Sequence, residues 1–295
     1  MQKAVLIGRG YWGKILHSYI QKHYEICGIF GSNTKKQILK QALDNAESAF
    51  IATPLASHFA LAKLALEHHC NVFVEKPSCA TQDEFNTLQS LSQAHNKIFF
   101  TDYIYTFSQS ILYALQILQD SKANIQSIEA TITQYGNFYE NESVLEVIGV
   151  HYLSVFAFMQ ELGLLENICV KECKFLDSKK QSALLKLHAL QENKQIPLSL
   201  YCSLLSNEKK RILSIQTQDF TLHIDMLSHN PLQIHSTKQT PLQDTILPIF
   251  DEGNNLNFAL KNFKDICEKR HDYTKHLNFS QTTLNLLTQA HNKTT

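Results

Sequence analysis

The sequence predicts two successive folds: a doubly wound parallel α/β domain over residues 1–103, then an α+β domain with a mostly antiparallel sheet over residues 104–295. Three observations predict this. Short apolar runs alternate with helix-period stretches through the first hundred residues. After Thr101 that alternation gives way to a series of strand-like runs. Polar breaks such as Gln191-Glu192-Asn193-Lys194 separate several of these runs with no helix between them. Strands that alternate with helices pair in parallel and carry helices on both faces, whereas strands joined by short turns pair antiparallel.

In chain order, residues 3–7, 26–30, 48–52, 71–74 and 97–100 are expected strands. Between them, apolar residues recur three and four apart, as in Ile15, Leu16, Tyr19, Ile20 and in Leu61, Leu64, Ala65, which is the helical period. Residues 110–119 place Ile111, Leu112, Leu115 and Leu118 on one side of a helix, 125–134 alternate as a strand, and 144–162 suit a buried helix. Strand-like runs follow at 168–176, 183–190, 196–204, 211–217, 220–226 and 232–235, with residues 206–210 read as a polar break. Helical patterns at 256–269 and 280–290 end the series.

Composition narrows the function classes. At 44% hydrophobic and 18% charged residues, the chain can build a sizeable core and is not a disordered polymer. Lysine plus arginine and aspartate plus glutamate both number 27, so no basic excess points to a nucleic-acid partner. No apolar run has the length of a secretory h-region or a membrane span, and a cytoplasmic protein is expected. The seven cysteines form no C-x-x-C pair, and Cys169 and Cys173 have no histidine pair after them, so free thiols in a reducing compartment are expected and no metal site.

The first motif is Gly8-Arg9-Gly10-Tyr11-Trp12-Gly13, a G-x-G-x-x-G that directly follows the first expected strand and opens a helix. In that setting the first glycine makes the tight turn and the second lets a pyrophosphate approach the backbone. The third lets helix and strand pack closely, and the helix N-terminus favours the ligand's negative charge. A nicotinamide dinucleotide is the expected cofactor. An acid at the end of the second strand would mark NAD. Here the strand runs into Gly31-Ser32-Asn33-Thr34-Lys35-Lys36 with no acid. Ser32, Asn33 and Lys35 are the candidate contacts, and NADP is favoured over NAD. The same lysines also suit the solvated first turn of a helix.

The second motif is Ala52-Thr53-Pro54-Leu55-Ala56-Ser57-His58, joined to Glu75-Lys76-Pro77. Both segments leave strand ends, where a doubly wound sheet binds its ligands. Together with the glycine turn, they make the chain resemble the Gfo/Idh/MocA family of NAD(P)-dependent oxidoreductases. The resemblance implies a Rossmann domain followed by a domain with a large open sheet that mediates homo-oligomerisation. It implies cofactor contacts from Thr53, Pro54, Leu55, His58, Glu75, Lys76 and Pro77 besides the glycine turn. It makes Lys76 a catalytic residue beside the nicotinamide.

The family's second catalytic group is a histidine in the following domain, matched by His151 in Glu146-Val147-Ile148-Gly149-Val150-His151. This stretch is most similar to the branch with W-D-L-x-P-H-D, whose members act on nucleotide-linked or amino sugars. Three positions depart from that pattern: Glu146 for tryptophan, Val147 for aspartate and Val150 for proline. Thr106 stands where the family commonly has arginine. An imidazole base gains from a carboxylate on its other nitrogen, which valine cannot provide. His151 is thus a base, a substrate anchor or a buried structural histidine.

The expected function is hydride transfer between a nicotinamide and a secondary alcohol or ketone of a sugar, amino sugar or nucleotide-sugar. Lys76 would polarise the oxygen and His151 would move its proton. A dinucleotide-binding sensor with impaired chemistry is the alternative, favoured by Val147 and Thr106. Reduction of a non-sugar substrate such as a tetrapyrrole or imine is a third.

Overall fold

The structure, a computed structural model, describes residues 1–236, 247–269 and 273–294. The chain divides into two compact units. The first comprises Met1–Ile104 with Leu256–Leu284, and the second Tyr105–Asn255 with Asn285–Thr295.

The first unit alternates as expected: β1 (Gln2–Ile7), α1 (Tyr11–Ile20), β2 (Tyr24–Phe30), α2 (Lys36–Leu43), β3 (Ser48–Ile51), α3 (His58–Glu67), β4 (Asn71–Glu75), α4 (Gln82–Ala94) and β5 (Phe99–Asp102). The strands form a parallel sheet in the order β2-β1-β3-β4-β5. Strand order reverses at β1, so the carboxyl ends of β1 and β3 flank the crevice where such sheets bind ligands. The link from β2 to β3 holds only α2.

Both sheet faces are dry, which is why these strands read as continuous apolar runs. On one face Val5, Ile51 and Val72 pack with Leu43, Ala62 and Leu88 of the helices. On the other, Phe50, Phe73 and Phe100 surround Phe263, with ring centroids 5.4–5.7 Å from it. Phe263 lies on a helix from the far end of the chain, residues Asn255–Cys267. Residues 256–284 pack with the first unit. Sequence order alone does not reveal this, because an apolar helix stripe does not state which sheet it covers.

In the second unit, α5 (Gln109–Asp120) and β6 (Ile125–Tyr135) precede α6 (Val150–Glu161). Six strands follow: β7 (Glu166–Phe175), β8 (Ser182–Gln191), β9 (Lys194–Ser203), β10 (Leu205–Thr217), β11 (Phe220–Asp225) and β12 (Leu232–Ser236). The sheet order is β12-β11-β10-β6-β9-β8-β7, antiparallel except for the parallel β6/β9 pair. Residues 206–210, read from their polarity as a break, lie inside β10, where the ladder is irregular between Leu205 and Lys210. Exposure accounts for their polarity as well as a turn would. The final helices are α7 (Asn255–Cys267) and α8 (Thr274–Asn292).

Candidate dinucleotide and catalytic site

The glycine turn begins where β1 ends. Gly8 has φ +134°, and its amide donates to the Phe30 carbonyl at 2.8 Å. A Cβ at Gly8 would lie 2.1 Å from the Ala52 carbonyl oxygen, and one at Gly13 would lie 2.3 Å from that of Gly8. These two glycines let three backbone segments touch. Gly10 differs: a Cβ there would meet nothing within 4 Å, and the residue caps α1 with no side-chain bond. The open face at Gly10 and the uncapped helix start suit a pyrophosphate.

A cavity of about 1050 Å³ adjoins this turn, lined among others by Arg9, Ser32, Asn33, Lys36, Thr53 and Pro54. Arg9 lies along the end of β2, donating from Nε (3.1 Å) and Nη2 (2.5 Å) to the Ile29 carbonyl. Its aliphatic stem covers Gly31. Thr34 Oγ1 accepts from the Gly31 amide at 3.0 Å, closing the turn. Lys36 lines the cavity. Lys35 caps α2 in extended conformation and is not among the lining residues. Tyr11 is 82% exposed, and Leu55 opens the short turn before α3.

His58 is 1% exposed and does not line this cavity. Its Nδ1 lies 2.7 Å from the Pro77 carbonyl and its Nε2 2.6 Å from that of Thr53. Burial pushes its pKa down, against the pull of the two carbonyls. The histidine ties the strand end at Thr53 to the Lys76–Pro77 turn, whose peptide bond is cis.

Trp12 donates its indole N–H to Glu75. Glu75 is buried, and burial pushes its carboxyl up to about 7, while Trp12 and Lys76 pull it down. Directly across the ladder, Asp102 is wholly buried, and desolvation with the Glu75 charge holds its carboxyl well above the usual range. Neither its burial nor this pairing is legible from the sequence, because the β4/β5 register is a tertiary fact.

In the second unit, His151 is the second residue of α6, after a wide turn of π type at Leu145–Gly149. Its ring stacks on Tyr105, with centroids 4.5 Å apart and planes at 16°. The Tyr105 hydroxyl accepts from Arg211, which also donates to the carbonyls of Thr133 (2.8 Å) and Lys210 (2.7 Å). Arg211 thus brings a guanidinium into the unit that holds His151. The sequence signal was present, but Arg211 adjoined the polar stretch read as a break. Val147, buried, lies one turn before His151. Glu146 accepts from the Ser143 amide (2.9 Å), from Ser143 Oγ (2.6 Å) and from His291. These donors hold the Glu146 pKa low against burial, and the residue lines a cavity of about 750 Å³ with His291 and Lys180.

A parallel sheet of this order with a glycine turn at its reversal point defines a dinucleotide-binding protein of Rossmann type. Residues 2–103 match the Gfo/Idh/MocA family, an oxidoreductase family with an NAD-binding Rossmann fold. No curated protein sequence matches the chain. Solved structures share the fold over nearly the whole length. The UDP-N-acetylglucosamine 3-dehydrogenase of Acidithiobacillus ferrooxidans superposes with TM-score 0.77 at 18% identity, over 98% of this chain and 97% of that one. An inositol dehydrogenase homolog from Azotobacter vinelandii, complexed with NADH and myo-inositol, gives 0.76 at 15% identity over 99% and 96%. An oxidoreductase from Sinorhizobium meliloti gives 0.79 at 14% identity over 99% and 97%. Among the described residues, no helix is long and apolar enough to cross a membrane.

Proposed function

We propose that the chain is an NADP(H)-preferring dehydrogenase acting on a secondary alcohol or ketone of a sugar, amino sugar or nucleotide-sugar. The observation that carries this is the junction of the glycine turn with the Glu75-Lys76-Pro77 turn: Trp12 bonds Glu75, and the His58 ring sits between the carbonyls of Thr53 and Pro77, 2.6 and 2.7 Å from its nitrogens. That network fixes Lys76 at the carboxyl end of β4. A nicotinamide bound in the crevice would supply or accept the hydride. Oxidising an alcohol develops negative charge on its oxygen, which the Lys76 ammonium stabilises. His151 is assigned the proton, and its stacking on Tyr105 restricts the ring.

The NADP preference rests on the lack of an acid after β2 and on Arg9 and Lys36 beside Ser32 and Asn33. The sugar-type substrate is suggested by the named activities of the similar structures. Homo-oligomerisation through the open sheet and a cytoplasmic location complete the reading; all seven cysteines are free thiols, as a reducing compartment maintains. Domain limits near residues 103/104, with 256–284 returning to the first unit, are part of the same proposal.

The test combines nicotinamide fluorescence on adding NADPH or NADH with an absorbance screen of nucleotide-sugars. Lys76→Ala should remove turnover and retain dinucleotide binding; an undiminished rate sinks the assignment. A dinucleotide-binding sensor is the second reading. It is favoured by Val147 one turn before His151 and by the engagement of Glu146 with Ser143 and His291. Dinucleotide binding without turnover across the screen would support it.

A further inference from the structure

Glu75 and Asp102 are register partners at the carboxyl ends of β4 and β5. Both are buried, Asp102 completely. A buried ionised carboxylate normally gathers donors. Glu75 has them in the Trp12 indole and the Lys76 amide. Asp102 is different: among the described residues, neither of its oxygens has a donor. What faces it is the Glu75 carboxyl. Two carboxyl groups hydrogen-bond each other only when one carries a proton, the O–H of one donating to an oxygen of the other.

We propose that Glu75 and Asp102 share one proton, and that the pair is a positioning device for Lys76, presenting a single negative charge beside its ammonium and linking that charge through Trp12 to the glycine turn. For the role of Lys76 this rests on the function proposed above.

The neighbouring groups leave Lys76 as the charge the pair meets. His58 on α3 is pushed down by burial and sits between the Thr53 and Pro77 carbonyls. Cys79 after β4 and Tyr103 after β5 are pushed up by burial. His276 on α8 accepts from the Thr101 amide and is pushed down to about 3. All four are uncharged near neutrality. A doubly ionised pair would place two charges in a dry site with one ammonium, whereas a pair holding one proton balances Lys76.

Trp12 is the one tryptophan in the sequence and is bonded to the pair, so its fluorescence reads the pair without any turnover. In the full chain, emission should change in a step with its midpoint near 7. In Asp102→Asn the amide donates to Glu75, and the midpoint should fall toward about 4, the ordinary carboxylate range. No step, or a step that Asp102→Asn leaves in place, overturns the proposal. If that variant does not fold, infrared difference spectra of the unaltered protein decide. A protonated-carboxyl carbonyl band that weakens but persists as pH rises through the fluorescence midpoint supports the pair, and no such band above the midpoint overturns it. The link to Lys76 is read from the pH profile of kcat/KM. Its acid limb should move with the fluorescence midpoint in Asp102→Asn while dinucleotide affinity is retained; an unmoved limb overturns the positioning role. A titrating pair in a protein that turns over no substrate counts against the proposed function alone; turnover without a titrating pair counts against this inference alone.

Discussion

His58 Nδ1 lies 2.7 Å from the carbonyl oxygen of Pro77, while the opposite ring nitrogen lies 2.6 Å from that of Thr53. The histidine of the second motif is therefore a brace between two strand ends. It ties the backbone at Thr53 to the Lys76–Pro77 turn that follows β4.

Replacing this brace should be costly. His58→Phe fills the space but removes the one N–H that the uncharged ring donates to a buried carbonyl, and an unmet buried group costs roughly 1–3 kcal/mol. Urea unfolding should show a loss of about that size. A change below about 0.5 kcal/mol, the scale of ordinary surface substitutions, would mean that His58 is not a brace.

The three glycines of the turn should separate into two kinds. Gly8→Ala and Gly13→Ala drive a Cβ to 2.1 and 2.3 Å from backbone oxygens, so both should unfold or misassemble the first unit. Gly10→Ala meets open space at an ordinary φ of −71°. It should fold with an unchanged midpoint and yet bind dinucleotide at least tenfold more weakly, roughly 1.4 kcal/mol. Tight binding by Gly10→Ala would place the pyrophosphate elsewhere.

Cofactor choice should respond to charge beside the end of β2. Lys36→Ala should weaken NADPH by about tenfold and leave NADH nearly unchanged, with the difference shrinking as salt rises. Equal losses for both cofactors would remove the argument for NADP.

Stability should depend on pH through His276. Its folded pKa is about 3, set by burial; its unfolded value is about 6.5. Between these values the unfolded chain binds the extra proton. Stability is thus full above the unfolded pKa and falls as pH drops through the window, by up to about 1.4 kcal/mol per unit. The raised Glu75 and Asp102 groups act in the opposite sense there, since their folded forms hold the proton. Comparison with His276→Gln isolates the histidine, and its curve should fall less steeply below pH about 6. Parallel curves would contradict the assignment.

The local facts of this chain were legible without coordinates. Gly8, Gly10 and Gly13 after an apolar run specify a strand, a tight turn and a helix start, because backbone sterics act between neighbours. Thr53-Pro54 and Glu75-Lys76-Pro77 mark strand ends for the same reason, and their spacing carries the family resemblance. Contacts between distant segments were not legible. Polarity at 206–210 does not distinguish an exposed strand from a turn, and the stripe of α7 does not say that Phe263 joins Phe50 and Phe73. His58 becomes a brace, Glu146 the partner of His291, and Asp102 the buried neighbour of Glu75 only once strand register and helix docking are fixed. The sequence by itself determined a Rossmann-type first domain with a dinucleotide turn at its first strand end. Tertiary structure decided which of its charged groups are buried together, because burial and pairing depend on packing across the whole fold and leave no periodic trace along the chain.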